Sequence, residues 1–449
     1  MLTSPPRLDP NETNWIVHVN ENLKCMPADE QQCWKYPSIY KVPPFITDLN
    51  PKAYQPQVVS FGPYHYDDNH LRPMEEHKHR ALLHFLKRSG KSLECVFKSL
   101  KEVARELKDS YDKLDLKWKD GTGGEFLELM IMDGCFMLEI MRIATLPKSK
   151  AENYGYAPND PIFSFDRLEC IVPYIRRDML LLENQLPMLV LYQLDAIAND
   201  GKEDDVNKLI LKFHFPLERK TSTGLDSCLH VLDVYRKGLL KVMEPKKVQH
   251  KGKNEETETI IRSATELNEA GIKFNTSKTD SLNGISNSLN DISFDRGVLK
   301  LPLFTVDDTT EFMFLNVMAF ERLHIKPFNS EDGNEVTSYV IFMDKIINNE
   351  QDVALLHTQG IIQNNFGSDK AVADLFNSLC IDVAVPSNKN LNYVQQKISK
   401  HCKKRWNEWR ANLNRTYFKN PWTILSLIAA FFLFALTIIQ TVYTLLSYY

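Results

Sequence analysis

The chain reads as a mainly α protein, α+β with minor strands and one short hairpin. A helical globular body is followed by a single C-terminal transmembrane helix. Three observations predict this. Apolar residues recur at three- and four-residue steps through much of the 449-residue sequence. Strand patterns are few, short and bounded by turn residues. The stretch from Asn420 to Tyr449 contains no Asp, Glu, Lys, Arg or His. A composition of 43% hydrophobic and 25% charged residues is that of an ordinary folded protein, which excludes a fibrous or wholly disordered chain.

Residues 1–38 are polar and proline-rich, with no basic segment leading into an apolar one, so they are expected to be a mobile tail and not a signal peptide. The body is expected over 39–399, as one cooperative helical unit. In 39–65 the prolines argue against a long helix, and Val58–Phe61 is a candidate short strand. Helix is expected from Met74, broken at Gly90. Beyond it Leu93, Val96, Phe97, Leu100, Val103, Ala104, Leu107, Tyr111 and Leu114 form one apolar face. Gly121, Gly123 and Gly124 mark a loop.

Glu125–Leu146 reads as a mostly buried helix. Tyr174–Ala198 reads as another, ended or kinked by Pro187. The stretch 245–290 is charged, then rich in Asn and Ser, and is expected to form flexible loops around one ordered segment, SATELNEAGIKF. Residues 291–306 predict a hairpin turning at Asp295-Arg296-Gly297, with Pro302 restricting its second strand to an edge. Helices follow at Thr310–Leu323, Asn334–Asn348, Asp352–His357 and Lys370–Cys380. A last amphipathic helix from Asn390 places Leu391, Val394, Ile398, Cys402, Trp409 and Leu413 near one face.

A basic neck, 400–420, leads into the span at 421–445. Trp422 to Tyr443 is about 22 residues, and at ~1.5 Å per residue it covers roughly 33 Å, enough for a bilayer core. Trp422 and Tyr443 suit the two headgroup interfaces. Lys400, Lys403, Lys404, Arg405, Arg410, Arg415 and Lys419 face a single acid, Glu408. Cationic flanks stay cytoplasmic, so a single-pass tail anchor with a cytosolic body is expected, the plasma membrane being the leading choice. The formal net charge is −4, which makes an acidic body on a basic neck. That pattern disfavours nucleic acid and names the lipid bilayer as one partner. The neck either holds anionic headgroups or only sets topology.

Chemistry-bearing motifs are sparse. Eight cysteines show no C-x-x-C pair and read as reduced thiols, several of them buried. Gly90-Lys91-Ser92 lacks the earlier glycine of a phosphate loop, since Phe85 stands there. GTGGEF at 121–126 lacks the third glycine of a dinucleotide fingerprint. There is no G-x-S-x-G and no H-E-x-x-H. No catalytic residue, metal site or cofactor is therefore expected. The cluster from Met74 to Arg80 reads as a solvated helix start, in which Glu75 and His79, and Glu76 and Arg80, are spaced to meet.

Asp133, Glu139, Asp178, Glu183 and Asn184 are more informative, because their neighbours are apolar. A buried carboxylate must be paired or hydrogen-bonded, or it takes up a proton. Arg142, Arg176 and Arg177 are the partners suggested by proximity. Ion pairs that fix helix packing are one reading of this internal polar network, and a paired-acid, hydrolase-like active site is the alternative.

Taken together, IYKVPPFITDLNPKAYQPQVVSFGPYH, LRPMEEHKHRALLHFL, MDGCFMLEIM, RDMLLLENQLPMLVL, SATELNEAGIKF, DISFDRGVLKLPLFTVDDTTEFMFLNVMAFE and the C-terminal block resemble the plant family called domain of unknown function 247. The resemblance runs over 39–449 in the family's order. It implies a single family domain with a C-terminal span, and it brings no established reaction and no catalytic label. Some members are implicated in self-incompatibility in grasses, which implies recognition or signalling through an unidentified protein partner.

Overall fold

The computed structural model describes residues 37–48, 50–119, 124–151, 154–199, 203–215, 227–240, 262–277, 288–324, 333–381, 388–413 and 421–448, with the single positions 17, 225 and 383. Most of the expected N-terminal tail, Gly121 and Gly123, most of the 245–290 stretch, Arg415 and Lys419 lie outside these residues. The architecture is mainly helical with few strands, and one long apolar helix stands at the C-terminus.

Helix α1 (Pro73–Ser89) opens on a proline with Glu75 and Glu76 in its first turn. It closes on Lys87 and Arg88, with Gly90 left-handed at φ 65°. Ser92 then caps α2 (Leu93–Glu102) by accepting from the Cys95 N–H, and α3 (Ala104–Asp109) follows. The centre of this half is α4 (Gly124–Ala144), apolar on nearly every side and buried from Phe126 to Ile143 except at a few positions. Around it pack α1, α2, α5 (Phe165–Asp178), α6 (Met188–Asn199) and α7 (Glu203–His214). Gly134 is where α6 comes closest: a Cβ there would stand 2.5 Å from Leu194 Cδ1 and 2.9 Å from Val190 Cγ1.

The expected helix over Tyr174–Ala198 is two helices. α5 ends at Asp178, α6 starts at Met188, and 179–187 is turn and irregular chain. Pro187 precedes α6, so its missing N–H falls where a helix needs none. Val58–Phe61 is not a strand either. The amides of Val58, Val59 and Phe61 are taken by side chains, as described below, and are not free for a ladder.

In the second half, α8 (Val231–Leu239) is followed by α9 (Ala264–Glu269), whose first turn is capped by Ser263. β1 (Lys273–Thr276) follows directly, so SATELNEAGIKF is a helix–strand unit. β2 (Ser293–Asp295) and β3 (Val298–Leu301) form the expected hairpin. Arg296 at φ 48° and Gly297 at φ 82° give the two left-handed positions of a tight hairpin turn. The edge assignment for the second strand is overturned. β3 is central, parallel to β1 (Phe274↔Leu299) and antiparallel to β2 (Phe294↔Leu299). It ends at Leu301, so Pro302 lies beyond the ladder and removes no hydrogen bond from it. A second small sheet pairs β4 (Phe304–Val306) in parallel with β5 (Ile362–Asn364).

Helices α10 (Thr310–His324), α11 (Glu335–Ile346), α12 (Glu350–Thr358) and α13 (Asp369–Leu379) fill this half, close to the expected bounds. The last amphipathic helix divides into α14 (Lys389–Cys402) and α15 (Arg405–Leu413). Leu391, Val394, Ile398 and Cys402 are buried as expected, but Trp409 is exposed, because the break at 403–404 rotates α15 out of the α14 stripe. α16 (Pro421–Tyr448) is wholly apolar in its centre. Leu425–Leu446 has a mean hydropathy of 2.3 with none of it buried, so it is long and apolar enough to cross a membrane.

Two buried cores result, and the chain is shared between them. Ile39, Val59 and Phe61 enter the first core, while Tyr40, Val42, Ala53 and Tyr54 enter the second. Met179 and Leu186 belong to the first, whereas Leu180, Leu181 and Leu182 belong to the second. α8 splits likewise, Val231 and Val234 to one side and Leu232 and Leu239 to the other. Segment 37–62, irregular apart from a short helix at Pro44–Thr47 and a 3-10 turn at Pro51–Tyr54, and the irregular segment 179–187 thus run along the joint between the cores.

Candidate functional site: the buried polar joint

An irregular segment inside a protein leaves its backbone amides without ladder partners, and each orphan costs about 1–3 kcal/mol. The polar residues singled out in the sequence meet this need. The Asp178 carboxylate, at the end of α5, accepts from three successive amides: Gln57 at 3.0 Å, Val58 at 2.7 Å and Val59 at 3.0 Å. Asn184 continues the series, its Oδ1 accepting from the Phe61 N–H at 2.7 Å while its Nδ2 donates to the Val59 and Asp178 carbonyls. Asp133, on α4, takes the Gly62 N–H at 2.8 Å. Glu183 accepts from the Val42 N–H at 2.6 Å, and its other oxygen lies 3.6 Å from His65 Nε2.

The reverse side of the joint is held in the same way. Gln185 donates to the Met179 and Leu181 carbonyls and accepts from the Leu232 N–H at 3.0 Å. Asn316, on α10, accepts from the Leu182 N–H and donates to the Ala53 and Phe312 carbonyls. Tyr111 donates to the Gln185 carbonyl at 3.0 Å. Gly62, at φ 73°, permits the closest approach, since a Cβ there would lie 2.8 Å from both the Gln185 carbonyl oxygen and the Tyr111 hydroxyl.

One partner overturns the reading of the Met74–Arg80 cluster. Lys78 is fully buried, with Nζ 2.7 Å from Asp133 Oδ1, 2.6 Å from Glu75 and 3.2 Å from Ser60 Oγ. Glu75 therefore meets Lys78 rather than His79, and Arg80 meets Asp160 at 2.9 Å rather than Glu76. The signal was present in the sequence. Met74, Lys78, Ala81, Leu82 and Phe85 are the buried face of α1, so the lysine sits in a helical apolar stripe.

Glu139 lies apart from the joint. Arg88 grips it with both terminal guanidinium nitrogens, Tyr156 donates to it at 3.3 Å, and Arg142 stands 3.9 Å away while engaging Asp195. Of the partners expected by proximity, Arg177 reaches Asp178 at 3.2 Å and Arg176 lies over the Phe213 ring. A second buried knot went unsignalled in the sequence: Glu321 accepts from Arg236 Nε at 2.7 Å and from the Val336 and Thr337 amides.

Burial sets the charges. It pushes the Asp133 carboxyl up to about 6, against the pull of Lys78. It raises Asp178 and Glu183 as well, opposed by the amides each accepts from. For Lys78 burial works downward, but Asp133 and Glu75 outweigh it and hold the amine above its ordinary value. Asp133, Asp178 and Glu183 thus each accept from the protein's own backbone, and Lys78 and Arg177 stand beside Asp133 and Asp178. A paired-acid active site needs open space beside its carboxylates, whereas Asp133 and Asp178 are fully buried. Among the described residues no group of three or more His, Cys, Asp or Glu is placed to hold a metal ion.

Of the neck cations, Lys400, Lys403, Lys404, Arg405 and Arg410 are exposed. Trp422 and Tyr443 on α16 are 76% and 71% exposed. Cys135, Cys228 and Cys402 are buried and Cys95 and Cys170 exposed.

A mainly helical body, with internal acids turned onto its own backbone, is followed by one long apolar helix, and the comparison with known families places that arrangement among plant proteins. The chain belongs to the DUF247 family, plant proteins of unknown function, whose model matches residues 39–436. It is 32% identical over 438 residues to the UPF0481 protein At3g47200 of Arabidopsis thaliana, covering 91% of this chain and 86% of that one. It is 21% identical over 532 residues to the putative UPF0481 protein At3g02645 of the same plant, covering 96% and 94%. No solved structure matches it.

Proposed function

We propose that this protein is a membrane-anchored recognition or signalling component, with its body in the cytosol and α16 in the plasma membrane. The observation that carries this reading is the use of the internal polar residues. Asp133, Asp178, Glu183 and Asn184 are committed to amides of the 42–62 segment, so the interior holds shape and the outer surface is left to meet a partner. The apolar, unburied α16 supports attachment to a bilayer. The excess of cations before it supports a cytosolic body. The partner is a protein, met by the body surface and by the polar stretches around 199–206 and 245–290.

The test is proximity labelling in native tissue with the full-length chain and with a version ending at residue 420. A set of neighbours recovered reproducibly only by the full-length chain is expected. Labelling that yields no reproducible neighbour would overturn the interaction reading. Protease treatment of cytosol-side-out vesicles tests orientation separately, and a body protected from digestion would reverse it.

A further inference from the structure

Large aromatic rings are normally withdrawn from water, as Trp118 is at 3% exposure. α15 does the opposite. Trp406 is 71% exposed and Trp409 57%, with their rings 5.5 Å apart. Two adjacent indoles left in water mark a contact surface. Around them Lys403, Lys404 and Arg405 are exposed beside a single exposed acid, Glu408, so the patch is aromatic and net cationic.

The outward pose is built in. The other side of α15 is fixed to the body: Ala411 is buried, Asn407 donates to the His401 carbonyl at 2.8 Å, and α15 packs on α9. Arg410 lies against the turn between α9 and β1, where a Cβ on Gly271 would meet its Nη1 at 3.0 Å. His401, at the end of α14, meets the hairpin residue Phe294 edge-on with centroids 5.5 Å apart. These contacts face the body, and the two tryptophans point away from it.

What covers them is argued from chain order and charge. α15 ends at Leu413 and α16 begins at Pro421, with Trp422 exposed in its first turn. Indole rings settle at the headgroup level of a bilayer, and cations beside them pair with anionic lipid phosphates. We infer that α15 is an interfacial helix whose Trp406, Trp409 and flanking cations lie in the headgroup layer of an anionic leaflet, docking the body against the membrane that α16 enters. This inference rests on the membrane reading of α16.

The full-length protein is reconstituted into vesicles of phosphatidylcholine, with or without phosphatidylserine, that carry lipids brominated near the headgroup. Tryptophan quenching is then compared among the wild type, a Trp406→Phe/Trp409→Phe variant and Trp422→Phe. The expected result is that the double variant loses most of the phosphatidylserine-dependent quenching. Lys403→Gln, Lys404→Gln and Arg405→Gln together should weaken that dependence about fivefold per cation removed. If Trp422 is quenched while the double variant behaves as wild type, the interfacial helix is overturned and the anchor stands; a protein partner would then be sought for the two rings. If Trp422 is not quenched either, both readings fall. All substitutions are at exposed positions, and unchanged circular dichroism confirms that the body remains folded.

Discussion

Asp133 and Lys78 show what a buried charge pair demands of its neighbours. Asp133→Asn leaves the Lys78 ammonium buried against Glu75 alone and should cost about 3–5 kcal/mol. Lys78→Met should cost less, because an unpaired Asp133 can take up a proton. The combined variant should recover part of the loss, a coupling that urea unfolding of the four proteins would measure. The pH dependence follows from the raised carboxyl. Its ordinary value is 3.8 and its folded value about 6, so the folded state holds a proton that the unfolded state has released. That contribution is full below 3.8 and is lost as pH rises through about 6. Asp133→Asn should flatten the fall in unfolding midpoint across this window, and an unchanged slope would place the proton elsewhere. Asp178→Ala orphans three amides and should cost at least about 3 kcal/mol, whereas Asp178→Asn, which keeps an acceptor, should cost visibly less. At this scale the sequence identified the acids because each interrupts an apolar run. It did not identify most of their partners: Arg88 is 51 positions from Glu139, and Gln57 to Val59 carry no side-chain signal for what their amides do.

Among the elements, the long periodic helices were legible and the joints between them were not. α4 and α10 follow from apolar density, and the hairpin follows from Arg296-Gly297, whose left-handed pair few other turns need. The centrality of β3 was hidden because its parallel partner β1 lies across the 278–287 stretch, beyond the reach of a hairpin pattern. The break at 179–187 was hidden because MLLLENQLPMLVL satisfies helical spacing while Glu183, Asn184 and Gln185 draw the backbone elsewhere. A further outcome belongs here. Gly134→Ala gains helix propensity but drives a methyl to 2.5 Å from Leu194 Cδ1. It should therefore destabilise by about 1–3 kcal/mol. Leu194→Ala in the same chain should return part of that loss, and thermal melts in detergent would show whether it does.

For the whole molecule, the two cores are not independent bodies placed side by side. Segments 37–62 and 179–187 and helix α8 each contribute to both, so loosening the joint should loosen both halves. Hydrogen exchange of the Asp178→Ala chain should show protection falling in α4 and α10 alike. Loss confined to one half would contradict a shared joint. Such sharing depends on pairs far apart in sequence, among them Leu182 with Asn316, and periodicity has no reach over that distance.

The order of the last two helices has a consequence for encounter. Residues 414–420 join α15 to α16, and a chain of that length extends at most roughly 25 Å. With α16 in a bilayer, this leash keeps the near end of the body within that distance of the membrane surface. A partner confined to the same membrane then meets it by diffusion in a plane, at a local concentration set by the leash, and needs little intrinsic affinity. A freely dissolved partner gains nothing from that arrangement.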